Sequence, residues 1–70
     1  MRKHSVNIAG HATSISLEKE FWAALQDLAA RRGVSMNAMI AEIDARRGDH
    51  NLSSALRLEI LADLQGRLTD

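Results

Sequence analysis

Seventy residues hold one domain at most, and a core this small needs help to be stable. With no cysteine in the chain that help is neither a disulfide nor a cysteine-based zinc site, which leaves self-association. A chain that is 46% hydrophobic and 26% charged, with no proline, is globular in composition. No apolar run is long enough to span a bilayer, and Arg2 and Lys3 lead into polar residues, so the expectation is a cytoplasmic protein with no membrane partner. The formal charge is zero, but residues 1–17 carry Arg2, Lys3, His4 and His11 and no acid, and a neutral total can hide a basic face.

In chain order, the first ten residues, with Val6 and Ile8 alternating with polar neighbours before Gly10, read as an arm or strand over 1–10. The stretch "ATSISL" reads as a strand over 12–17, with Thr13, Ile15 and Leu17 on one face and Ala12, Ser14 and Ser16 on the other. From Glu18 the period becomes helical. Phe21, Leu25 and Leu28 form the stripe of a helix over 18–32, ended by Arg31, Arg32 and Gly33. A second helix over 35–47 has Ser35 as its cap and Met36, Met39 or Ile40, and Ile43 as its buried stripe. A third, over 51–67, has Asp49 or Asn51 as cap and Leu52, Leu56, Ile60, Leu64 and Leu68 at four-residue spacing.

Read this way, "TSISLE" is a strand with no second strand after it, and an unpaired strand edge is not left open in natural proteins. Two chains solve the problem if their strands pair antiparallel about a two-fold axis, with the apolar residues packed on the helices beneath. The outer face of such a two-stranded ribbon fits the major groove of B-DNA.

Strand, helix, glycine turn and helix, with "TSISLEKEFWAAL" followed by "ARRGVSMNAMIAE", resemble the ribbon-helix-helix class of bacterial transcription regulators over residues 11–47. The segments "KHSVNIAGHATSISLEKEFW" and "NLSSALR" are similar to a short subgroup with an N-terminal "HSV.I.GH" segment. The resemblance implies a mainly α fold with one short β-strand per chain: an intertwined homodimer with a two-stranded antiparallel ribbon, plus a third C-terminal helix. The core of the dimer is expected from Ile15, Leu17, Phe21, Leu25, Leu28, Ile40 and Ile43. The resemblance also implies base contact by Ala12, Ser14 and Ser16 and phosphate contact by the backbone amides of Val34, Ser35 and Met36. Ala12 departs from the arginine, lysine or large polar residue that many members carry there and offers only a thymine-methyl contact, so Arg2 and Lys3 are expected to add phosphate contacts from the flank.

The expected partners are a second copy of the chain, with higher-order assembly on DNA, and double-stranded DNA. The alternative is an antitoxin-like or adaptor dimer that lays its third helix in a protein partner's groove. His4, His11 and His50 show no metal-ligand spacing, and no nucleophile elbow or phosphate loop is present, so neither a metal, another cofactor nor an enzyme is expected.

Overall fold

The computed structural model describes residues 1–68. Strand β1 (Arg2–Ile8) and strand β2 (His11–Leu17) form an antiparallel hairpin, followed by helices α1 (Lys19–Arg32), α2 (Met36–Arg46) and α3 (Leu52–Leu68). The expectation of one strand per chain is corrected: the segment left open as an arm or strand is a strand, and it supplies the mate that β2 lacks. Residues Ala9 and Gly10 connect the two, with φ of 52° and 82°. Positive φ at both central positions is the geometry of a type I′ turn, whose twist matches the strands it joins. Glycine adopts it freely, whereas Ala9 does so against the clash of its own Cβ.

The register sets Arg2 opposite Leu17, Lys3 opposite Ser16, His4 opposite Ile15, Ser5 opposite Ser14, Val6 opposite Thr13 and Asn7 opposite Ala12. Because side chains alternate across a strand, each such pair shares one face of the sheet. Val6, Ile15 and Leu17 are buried on the inner face. Full burial of a side chain such as Ile15 or Leu17 contributes roughly 1.5–3 kcal/mol.

Beneath the hairpin, Leu25, Leu28 and Ala29 of α1, Met39, Ile40 and Ile43 of α2, and Ala55, Leu56 and Ile60 of α3 complete one core within a single chain, with Phe21 and Trp22 packed at its margin. Trp22 stacks on His4 of β1, ring centroids 3.6 Å apart and planes within 3°. This contact fastens the first strand to α1, and the buried Nε2 of His4 has no hydrogen-bond partner among the described residues. The amphipathic first half of α3 thus does for the core what the small size of the chain predicts a partner must do.

Local chemistry fixes the helix ends. Gly33, with φ of 69°, ends α1 while Val34 N–H donates to Ala29 O at 3.1 Å and Gly33 N–H to Ala30 O at 3.2 Å. This pair of bonds is the Schellman arrangement, and only a residue at ease in the left-handed region permits it. Ser35 caps α2, its Oγ accepting from Ala38 N–H at 3.0 Å, and Asn51 caps α3, its Oδ1 accepting from Ser54 N–H at 2.7 Å.

Candidate nucleic-acid interface

The outer face of the hairpin carries Lys3, Ser5 and Asn7 from β1 and Ala12, Ser14 and Ser16 from β2. All are exposed except Ser16, which is half-buried. Among the described residues β1 lies beside β2 in the plane of the sheet and not over this face. Neither strand contains an aspartate or glutamate. The face therefore presents an ammonium, hydroxyls and a carboxamide, without a carboxylate to repel an anion.

Arg2 does not join Lys3 there. Strand alternation sets it on the opposite face with Leu17, at the rim of the sheet near Glu18, Lys19 and Glu20. The two adjacent basic residues, treated together from sequence, thus have different surroundings.

The start of α2 provides a second set of donors. Its first turn contains no acid, and the amides of Met36 and Asn37 have no acceptor inside the helix. Val34 is corrected here. Its amide is committed to Ala29 O in the cap that ends α1 and is not free for a phosphate. The donor set moves one residue along the chain, to Ser35, Met36 and Asn37, at the positive end of the helix dipole. The Ser35 hydroxyl already accepts from Ala38 N–H, and its own proton remains to be donated.

Elsewhere the cations are engaged. Arg31 donates to Asp27 and Asp63, each at 2.9 Å, and Arg32 pairs with Glu59 at 3.1 Å. Arg46 lies 3.4 Å from Glu59, Arg47 is 2.6 Å from Asp44, Arg57 is 2.9 Å from Glu18 and Arg67 is 3.3 Å from Asp63. Hydrogen bonding from Arg31 holds the Asp63 carboxyl below its ordinary range. For Glu18 the same direction comes first from its own backbone amide and then from Arg57. Among the described residues, Arg2, Lys3 and Lys19 are the lysines and arginines outside such pairs, and all three lie at the ribbon end of the chain. Composition could not reveal this partition, because four of the pairs, Arg31–Asp63, Arg32–Glu59, Arg46–Glu59 and Arg57–Glu18, join residues distant in sequence.

A ribbon-helix-helix domain model matches residues 1–64, the hairpin and all but the end of α3. The chain belongs to the ribbon-helix-helix family. Domains of this family typically dimerise and bind DNA, serving as transcription regulators or antitoxin-type proteins, and the fold is not an enzymatic one. No curated protein and no solved structure matches the chain. Among the described residues no helix is long and apolar enough to cross a membrane.

The seven residues expected to form a dimer core lie in or against the core of the single chain. Ile15, Leu17, Leu25, Leu28, Ile40 and Ile43 are buried within one chain, and Phe21 packs against them half-exposed. Sequence reasoning missed Ser5 and Asn7 as members of the outer face. The signal that finds them is the alternation of Val6 and Ile8 with Thr13, Ile15 and Leu17 on either side of a two-residue turn ending in Gly10.

Proposed function

We propose that this ribbon-helix-helix protein is a homodimeric regulator of transcription whose β2 strands, paired antiparallel across a two-fold axis, enter the major groove of duplex DNA. The observation that carries the reading is the exposed, acid-free outer face of the hairpin in a chain whose arginines other than Arg2 are held in ion pairs. The dimer is supported by the far edge of β2, which has no strand beside it among the described residues. Such an edge is a template for pairing. Joining two copies there gives a sheet in the order β1, β2, β2, β1, with Ala12, Ser14 and Ser16 of both chains at its centre and Ile15 and Leu17 beneath.

In this arrangement the two serine hydroxyls donate to or accept from base edges, and Ala12 meets a thymine methyl group. The amides of Ser35, Met36 and Asn37 hold one phosphate, and Lys3 meets another. Arg2 reaches a phosphate from the rim and contributes less than Lys3.

The test is binding of the full chain to a labelled random-sequence duplex over a range of salt. Affinity is expected to fall linearly in log salt, and Ser14→Ala with Ser16→Ala to change preference by about 1–3 kcal/mol at the contacted bases. Met36→Pro sharpens the phosphate assignment. Proline is accepted at the first helical position, and Ser35, with ψ of 159°, already has the extended backbone that a residue before proline needs. Loss of one charged hydrogen bond predicts about 1.5–3 kcal/mol weaker binding. A protein that shifts no duplex even at low salt would falsify the reading, and a single-chain mass in sedimentation would contradict the dimer.

The second reading, an antitoxin-like or adaptor dimer, is supported by Leu58, Leu61, Leu64 and Leu68, which are exposed along α3. The stripe first expected to dock is largely used within the chain, since Leu56 and Ile60 are buried in its own core and Leu52 packs against it. Leu61→Ser with Leu64→Ser leaves duplex affinity unchanged if the protein works through its ribbon alone.

A further inference from the structure

We propose that the outward face of β1, formed by Lys3, Ser5 and Asn7, is a phosphate-binding strip that rides on the sugar-phosphate backbone at the wall of the groove while β2 meets the bases; this rests on the DNA-binding dimer argued above. The division of labour follows from width. Strands in a sheet lie about 4.8 Å apart, so in a β1, β2, β2, β1 sheet the two outer strands are separated by three spacings, roughly 14 Å. The major groove is about 12 Å wide and admits a ribbon of two strands. The central β2 strands fit within it, whereas each β1 lies roughly 7 Å from the two-fold axis, outside the half-width of the groove and over its backbone.

The side chains at that position suit phosphate. Lys3, Ser5 and Asn7 share the outer face by register and are all exposed. Each offers a donor, as ammonium, hydroxyl and carboxamide N–H respectively. Lys3 is in no ion pair among the described residues, and the strands that make the face contain no acid. The occupant is thus an anion laid along a strand, and the two-fold axis sets one strip on each wall of the groove. The inner residues of the same strand hold it in place: Val6 is buried, and His4 stacks on Trp22 at 3.6 Å. A strand fastened to the body can transmit a phosphate contact to it, which a loose arm could not. The same position explains how a ribbon whose central residues are an alanine and two serines gains affinity.

The strip is tested with the full chain, a labelled random-sequence duplex and enrichment of preferred sequences from a random duplex pool. Lys3→Ala is expected to reduce the slope of log affinity against log salt by about 1.8, because each dimer then leaves two phosphates unneutralised at about 0.9 each. Ser5→Ala with Asn7→Ala, which removes neutral donors, is expected to weaken binding to all sequences by roughly tenfold or more at an unchanged slope. Neither variant changes the enriched sequence. Thermal melts confirm that these exposed substitutions leave the fold intact. A changed enriched sequence in the Ser5/Asn7 variant overturns the strip, because β1 then reads bases, and so does wild-type affinity and slope in both variants. If the wild-type chain itself binds no duplex, the DNA-binding reading fails first, and that result is distinguished by being seen before any substitution is made.

Discussion

The helical body and the hairpin of this small protein carry charge in opposite ways. In the body, Arg31, Arg32, Arg46, Arg47, Arg57 and Arg67 each meet an aspartate or glutamate, and several of these pairs tie one helix to another: Arg31 of α1 to Asp63 of α3, and Arg32 of α1 and Arg46 of α2 to Glu59 of α3. In the hairpin there is no acid to meet, and Lys3 stands among neutral donors on an open face. The zero net charge is the sum of a hairpin that carries Arg2 and Lys3 without an acid and a body whose nine acids outnumber its seven bases by two. Net charge alone is therefore a poor guide to whether a small protein can hold a polyanion; what counts is which cations the fold has already used.

The two regions also differ in how they are held, and substitutions can break that difference. Ile15→Lys has the largest expected effect. It places an unpaired charge at a position that is 1% exposed beneath the hairpin, at a cost of several kcal/mol out of a stability of roughly 5–15, so circular dichroism should show an unfolded chain. Next comes Leu56→Ala in α3, expected to lower stability to urea by about 2–5 kcal/mol because this side chain is fully buried in the chain's own core. A drop well under about 1 kcal/mol would mean that α3 is not a working part of the body.

Acid should sharpen the contrast. Asp63 and Glu18 have pKa values lowered from ordinary values of 3.8 and 4.5, Asp63 by Arg31 and Glu18 by its own backbone and Arg57. A lowered folded-state value means stability that is present above the ordinary value and lost as pH falls through the lowered one. The packing of α3 should therefore loosen below about pH 4, by a small amount because both groups are solvated. Asp63→Asn should remove part of that acid sensitivity in pH-dependent melts.

The smallest expected effect is a gain at the turn. Ala9, at φ of 52°, occupies a position that asparagine or glycine fills with less strain, so Ala9→Asn should raise stability by about 1 kcal/mol and leave DNA affinity alone.

The same turn explains what was and was not legible in the sequence. The ribbon, the helices and the third helix are written locally, in the switch from alternation to a helical stripe at Glu18, the cap at Ser35 and the stop at Gly33. The hairpin was obscured because an alanine stands where the turn calls for asparagine or glycine, so a mated strand reads as a lone one. The position of α3 was hidden for a different reason. A leucine stripe states that a face must be covered but not by what, and Leu56 and Ile60 find their cover in their own chain. At the candidate interface, Ser35 was visible as a cap, while the commitment of the Val34 amide depends on a hydrogen bond that forms only once α1 has ended.

The division between an ion-paired body and a bare ribbon is tested most directly by two charge reversals that change net charge equally. Lys3→Glu alters the open face of the hairpin, and Arg67→Glu alters the last turn of α3. Both are to be measured by anisotropy against the same duplex at the same salt. Lys3→Glu is expected to lower affinity by about tenfold or more, because each dimer exchanges two attractions to phosphate for two repulsions, while Arg67→Glu should remain within about twofold of wild type. Equal weakening in the two variants would contradict this division, since binding would then follow total charge and not the ribbon.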